Sequence, residues 1–165
     1  MLNANTFRHL SARMRPQHFA DLMNFWLPYR AAGIHIDYIR RDFRQVHVSM
    51  DLHWYNSNYV GTHFGGSLFA MVDPFFMIMY MQNLGKSYIV WDKAASIRFL
   101  RPGQGKVSAL FTLTETDLQA VHEVFTQNPQ ARLDVTRTVT IKNSDLQTVA
   151  EVDKVIYIRR KPRSV

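Results

Sequence analysis

The chain has 165 residues, 47% of them apolar, 13% aromatic and 20% charged, and no cysteine. That length fits one globular domain with its own core, and the supply of Leu, Ile, Val and Phe excludes intrinsic disorder for all but the ends. The lack of cysteine excludes disulfides, thiolate zinc sites, iron–sulfur clusters and a cysteine nucleophile, and suits a reducing compartment, so a cytoplasmic protein is expected. The longest apolar run, Phe75–Met81, is far shorter than a membrane-spanning helix requires. The first twenty residues hold no apolar stretch of the secretory kind. Twenty Lys and Arg against thirteen Asp and Glu give a net charge of +7. Such a surface attracts phosphate, whether in nucleic acid, anionic lipid or a phosphorylated small molecule.

In chain order, Asn5–Met14 places Phe7, Leu10 and Met14 at helical spacing, and Pro16 suits the first turn of a second helix. That helix presents Phe19, Leu22, Met23 and Trp26, is disturbed at Pro28 and stops near Gly33. Its arginine-rich, acid-poor start reads either as a membrane-surface or transit segment or as ordinary packing onto the domain. From Ile34 the period becomes two, with Val46, Val48, Met50 and Leu52 alternating with polar residues. An Asn- and Tyr-rich loop leads to an apolar helix predicted from Ser67 to about Leu84. Strands are predicted at 88–100, 106–113, 132–142 and 148–159, and a short helix capped by Asp117 over 118–127. Sequential strands with short links imply an antiparallel sheet, and a helix apolar on nearly every side must be surrounded by it. The resulting division is a helical segment packed on the domain (1–33), the domain itself (34–160) and a basic tail (161–165). Arg159, Arg160, Lys161 and Arg163 cluster at that end. Arg137 falls in phase with Leu133, Val135, Val139 and Ile141, so either a bulge turns it outward or a partner accompanies it inward.

The chemistry concentrates in Asn58 to Asp73. Gly65 and Gly66 at a helix start leave the first amides bare, where partial positive charge polarises a carbonyl or stabilises an oxyanion. Asp73 follows Gly66 by seven residues, two turns of a continuous helix, which returns it to the same face. A carboxylate among Met71, Val72, Phe75 and Phe76 must be paired or titrate high, as a general base or nucleophile does. The same residues read another way. Asp73 followed by Pro74 is a standard helix start, with Asp73 as cap, and two glycines also make a tight turn. His47, Asp51 and His53 share a strand face, but their spacing along it is too long for one metal ion, so no metal site is expected.

The segment Gly-Gly-Ser-Leu-Phe-Ala-Met-Val-Asp73 resembles the helix-start motif of hotdog-fold thioesterases, most closely the phenylacetate-degradation type. About thirty residues on, Ile97-Arg-Phe-Leu-Arg-Pro-Gly-Gln-Gly-Lys106 resembles that family's central strand and turn. The resemblance spans roughly residues 34–160. It implies an α+β hotdog fold, an antiparallel sheet wrapped around one long helix, with extra N-terminal helices. It also implies acyl-CoA thioester hydrolysis without a cofactor, coenzyme A entering only as part of the substrate. By position, Asp73 matches the catalytic acid, Gly66 and less directly Gly65 the amides that bind the thioester oxygen, and Asn58 a polar residue orienting water or the carboxylate. Phe64 stands where the family has a histidine, with His63 one residue earlier. Phe64, Ser67, Arg98 and Arg101 are then candidate substrate contacts, and Arg98, Arg101, Lys106 or the 159–161 group would meet the coenzyme A phosphates. A homodimer or homotetramer is implied, with the site between subunits, so that Asp73 and the glycine amides come from different chains. Met71, Met77, Met79 and Met81 either line an acyl tunnel or fill the core. Alternatives are a hotdog hydratase or dehydratase, and a non-catalytic acyl-CoA or acyl-carrier binding module. Nucleic-acid binding is suggested by charge alone, so neither nucleic acid nor a membrane span is among the expected partners.

Overall fold

A computed structural model describes residues 15–162. The helix predicted over residues 5–14, Arg163 and the end of the basic tail lie outside them. Pro16 opens α1 (Pro16–Phe25) in its first turn, and Trp26 separates it from α2 (Leu27–Ala32), which has Pro28 in its own first turn. Gly33 ends α2 at φ 75°, a left-handed conformation in which a Cβ would also stand 2.7 Å from Asn56 Nδ2. Phe19, Ala20 and Met23 bury the inner face of α1. From Pro16 onward the amphipathic face is therefore packing surface.

Six strands follow: β1 (Ile34–Ile39), β2 (Gln45–Met50), β3 (Tyr88–Phe99), β4 (Val107–Thr112), β5 (Arg132–Asn143) and β6 (Thr148–Arg160). They form one antiparallel sheet in the order β1-β2-β4-β5-β6-β3, so β3 is an edge strand paired only with β6. The sheet wraps the central helix in the hotdog arrangement. That helix comes in two segments, α3 (Gly65–Ala70) and α4 (Phe75–Leu84), separated by a turn over residues 71–74. Pro74 has no N–H to continue the ladder and becomes the N-cap of α4, with its carbonyl accepting from Ile78 N at 3.1 Å. The freed carbonyl of Ala70 takes Asp73 N at 3.2 Å. The peptide bond between Asp73 and Pro74 is cis. The Asp73 side chain does not cap α4, so the helix-start reading holds for the chain direction but not for the carboxylate.

Phe75, Met79 and Tyr80 of α4 are fully buried, with the Phe75 and Phe76 rings 5.0 and 5.2 Å from Phe111 of β4. Met71 and Met79 are core residues, and Met77 and Met81 pack against that core.

Helix α5 (Glu115–Gln127) starts three residues before the predicted position because Thr114 caps it. Asp117 is the reciprocal member of a capping box, accepting from Thr114 N at 2.8 Å. Arg137 keeps its register in β5 and turns inward with a partner. It forms an ion pair with Asp117, donates to Thr112 O at 3.2 Å and lies 5.6 Å over the Phe76 ring.

Candidate functional site

The loop between β2 and α3 is built by two asparagines. Asn56, buried, donates to Ala32 O at 3.0 Å and Asp51 O at 2.9 Å and accepts from His53 N at 2.7 Å. It thereby ties the end of α2 to the exit of β2, and its own carbonyl accepts from Phe64 N at 2.9 Å, directly before α3. Asn58 spends its amide on its own loop. Its Oδ1 accepts from Val60 N and Thr62 N at 3.0 and 3.1 Å, while Nδ2 donates to Thr62 Oγ1 at 2.8 Å and His63 O at 3.3 Å. Its role is to shape the loop wall.

His63 is 2% exposed. Its Nε2 lies 2.8 Å from Gly105 O, its backbone N donates to Gly103 O at 2.9 Å, and Nδ1 is buried without a partner among the described residues. Burial pushes the imidazole pKa down, against the Gly105 carbonyl and Asp51, which favour the charged form. His63 joins the helix-start loop to the turn after β3. It shares no hydrogen bond or ion pair with Asp73.

At the start of α3, Ser67 N and Leu68 N both donate to Phe64 O, at 2.9 and 3.1 Å. Gly65 N and Gly66 N donate to no described residue. Both glycines are enclosed by aromatic rings: a Cβ on Gly65 would stand 2.9 Å from Phe99 Cζ, and one on Gly66 2.3 Å from Phe64 Cε1. Those rings are themselves exposed, 54% for Phe64 and 56% for Phe99. Ser67 is buried under the helix start. Beside it opens a cavity of about 420 Å³ lined by Asn58, His63, Gly65, Leu68, Phe99 and Arg101, among others. Arg101 donates to Thr148 O at 2.9 Å from its rim. Arg98 lies away from this cavity, holding Asp153 at 2.7 Å and Glu151 at 3.1 Å. Arg160, in the terminal basic cluster, donates to Tyr88 Oη at 3.2 Å and stacks on that ring.

Asp73 does not line the cavity. The seven-residue spacing expected to bring it to the face of Gly66 needs an unbroken helix, and the turn over 71–74 intervenes. Nor is the carboxylate buried like its neighbours: Met71, Val72, Phe75 and Phe76 are core, whereas the Asp73 side chain is 49% exposed. It is paired, as a carboxylate on a largely apolar helix must be, and its partner is Lys154 of β6. Lys154 also lies 3.2 Å from Asp92 Oδ1 on β3. That separation falls within ion-pair range, but the angle makes no hydrogen bond, and Asp92 Oδ1 stays without a hydrogen-bond partner. Burial raises the Asp92 pKa despite the ammonium, and Asp73 adds to the rise. From the other side the Tyr29 hydroxyl donates to the backbone carbonyl of Asp73, and burial first, then the Asp73 charge, pushes that phenol up.

Lys154 and Asp92 escape a motif-based reading, although a signal exists. Lys154 stands in phase with Val152, Ile156 and Ile158, the same in-phase pattern that marks Arg137. Among the described residues, no three His, Asp or Glu side chains gather as metal ligands. His47 Nδ1 instead lies 2.9 Å from Asp37. No described helix is long and apolar enough to cross a membrane.

Solved structures share this fold at low sequence identity. A Pseudomonas aeruginosa protein described as "Protein of Unknown Function PA5026 … Probable Thioesterase" aligns at TM-score 0.75 and 16% identity over 88% of this chain and 97% of that one. The Escherichia coli PaaI protein from the phenylacetic acid degradation operon aligns at TM-score 0.59 and 20% identity, over 88% and 92% of the two chains. A Haemophilus influenzae thioesterase aligns at TM-score 0.62 and 12% identity, over 89% and 92%. No curated protein matches the sequence. A family model described as "Domain of unknown function (DUF4442)" matches residues 15–158, nearly the whole described chain, and the protein therefore belongs to that family.

Proposed function

We propose that the protein hydrolyses acyl-CoA thioesters. The observation that carries this reading is the unengaged amide of Gly65, which lines a largely apolar cavity, with the equally free amide of Gly66 next to it under the Phe64 ring. On the same central helix an exposed, paired carboxylate, Asp73, lies on the turn that follows α3. The amides would hold the thioester oxygen as it becomes an oxyanion. In one route Asp73 would take a proton from water as its oxygen attacks the carbonyl carbon; the C–S bond then breaks, and Asp73 passes that proton to the departing thiolate, leaving coenzyme A as the thiol and the acyl group as the acid. In the other, Asp73 attacks that carbon itself, the C–S bond breaks, the thiolate takes a proton from water, and the hydroxide formed hydrolyses the acyl–Asp73 anhydride to return the free carboxylate. No cofactor enters the reaction.

Because Asp73 does not line the cavity in its own chain, the complete site requires a second copy, with the amides from one chain and Asp73 from the other. Two features support a dimer: the twelve-residue edge strand β3, with one unpaired side, and the exposed apolar residues Trp91, Phe99 and Leu100 along and beyond it. Arg101 at the cavity rim is the cation best placed for a coenzyme A phosphate, whereas the Arg98 charge is already matched.

A second reading, a binding module without turnover, is favoured by the Phe64 ring lying over Gly66. The hydratase reading needs a histidine beside the acid, and His63 is engaged with Gly105 instead. Thiol release from a panel of acyl-CoAs decides among them, with Asp73→Asn and Asp73→Ala as controls. The chain has no cysteine and so contributes no thiol of its own. Turnover lost in both variants supports hydrolysis; binding of several acyl-CoAs without release in the wild type supports the module.

A further inference from the structure

The inward face of β6 carries Val152, Ile156 and Ile158, and with them Lys154, whose side chain is only 2% exposed. Lysine is almost never buried this far unless paired. Here two carboxylates reach it from different elements, Asp73 from the turn between α3 and α4 and Asp92 from β3. The engagement is unequal. The ammonium hydrogen-bonds to Asp73 and sits 3.2 Å from Asp92 Oδ1 without bonding to it. These are the charged groups that face Asp73 from the packed elements, and Tyr29 of α2 meets only its backbone carbonyl. The arrangement is asymmetric in exposure as well. Lys154 is enclosed, while half of the Asp73 side chain remains open to solvent, so the ammonium grips the carboxylate from behind and leaves its front free.

We infer that Lys154 is a positioning residue for Asp73, holding its carboxylate from the core side, with Asp92 drawing on the same ammonium and setting the strength of that hold. The inference rests on the thioesterase reading for its consequence, since it is as the acid–base group that Asp73 would need this control. An opposite charge at this range favours the ionised form, and a like charge disfavours it. The two neighbours therefore act in opposite directions.

The test compares Lys154→Met, Lys154→Arg and Asp92→Asn with the wild type. Two readouts are used: the acid limb of kcat/KM for an acyl-CoA that the wild type hydrolyses, and the 13C titration curve of the Asp73 carboxyl without substrate. Lys154→Met should move both to higher pH. Lys154→Arg should restore them toward wild type, and Asp92→Asn should move them to lower pH. Curves that stay in place in folded Lys154→Met, or in Asp92→Asn if Lys154→Met does not fold, overturn the inference and leave Lys154 a structural residue. The thioesterase reading fails separately, through absent turnover or full activity in Asp73→Asn, and the carboxyl titration still decides the role of Lys154 in that case.

Discussion

The Phe64 ring lies over Gly66 so closely that a Cβ there would stand 2.3 Å from Cε1. Phe64 is exposed, so the ring has room to swing away, and Gly66→Ala should change stability by no more than about 1 kcal/mol because alanine is the better helix former. Gly66→Pro removes the amide proton itself at a first-turn position that tolerates proline. If that amide holds the oxyanion, kcat should fall by about 10²–10³-fold while the fold persists. Chemical denaturation beside steady-state kinetics checks both statements.

Replacing Asp73 by Asn should lower kcat by about 10²-fold or more, the scale of a lost acid–base group. It should also cost stability, because Lys154 loses a charged partner and keeps at most a neutral amide oxygen as acceptor. Breaking a fully buried pair costs about 3–5 kcal/mol. The loss here should be smaller, about 1–3 kcal/mol, since Asp73 is half exposed and Asp92 remains beside the ammonium. Thermal unfolding of the two proteins measures the difference.

A site shared between two chains predicts complementation. Asp73→Asn and Gly66→Pro, each inactive alone, should regain activity when unfolded together and refolded. Random pairing makes half the dimers mixed, each with one intact site of two, so recovery should approach about a quarter of wild type. No recovery, with mixed dimers shown by mass spectrometry, would place both groups in one chain.

His63 predicts how stability depends on pH. Its folded pKa lies below the ordinary value of 6.5, chiefly through burial, so the unfolded chain binds the proton more readily than the folded one. Stability should therefore decline as pH falls from about 6.5 toward the lowered folded value, and it is retained above 6.5. His63→Gln, which offers an amide to Gly105 O and does not titrate, should flatten that part of the curve in urea denaturation between pH 7.5 and about 5.

Asn56 should matter to stability more than its loop position suggests. Asn56→Ala strands the carbonyls of Ala32 and Asp51 and the amide of His53 in a buried place. A loss of about 2–4 kcal/mol is expected, and calorimetry reads it as a lower Tm.

Much of the architecture was legible from local pattern. Pro16, Pro28 and Gly33 mark the N-terminal helices because each restricts or frees the backbone in a way that few folds override. The strands from residue 88 onward match their predicted spans to within a residue, since alternation with one wet face is a strong signal. Pro74 was visible too, but not its consequence. Whether proline bends a helix or starts a new one depends on what receives the freed carbonyl, here Asp73 N.

The residue list for the site could be written down from the glycine pair and the acid, because bare amides and a carboxylate on an apolar helix are properties of the chain itself. Their relation could not. Asp73 turned to a lysine 81 positions away, and His63, one residue from the family position, turned to Gly105. A charge brought into the core is stable only with a partner, and the sheet decides which partner lies within reach. Sequence alone determined the alternation, the caps and the helix that must be enclosed, since these follow from neighbours along the backbone. Tertiary structure alone decided which carboxylate Lys154 holds, which amides stay free and where the cavity opens, since those depend on distances between strands and helices that meet only after folding.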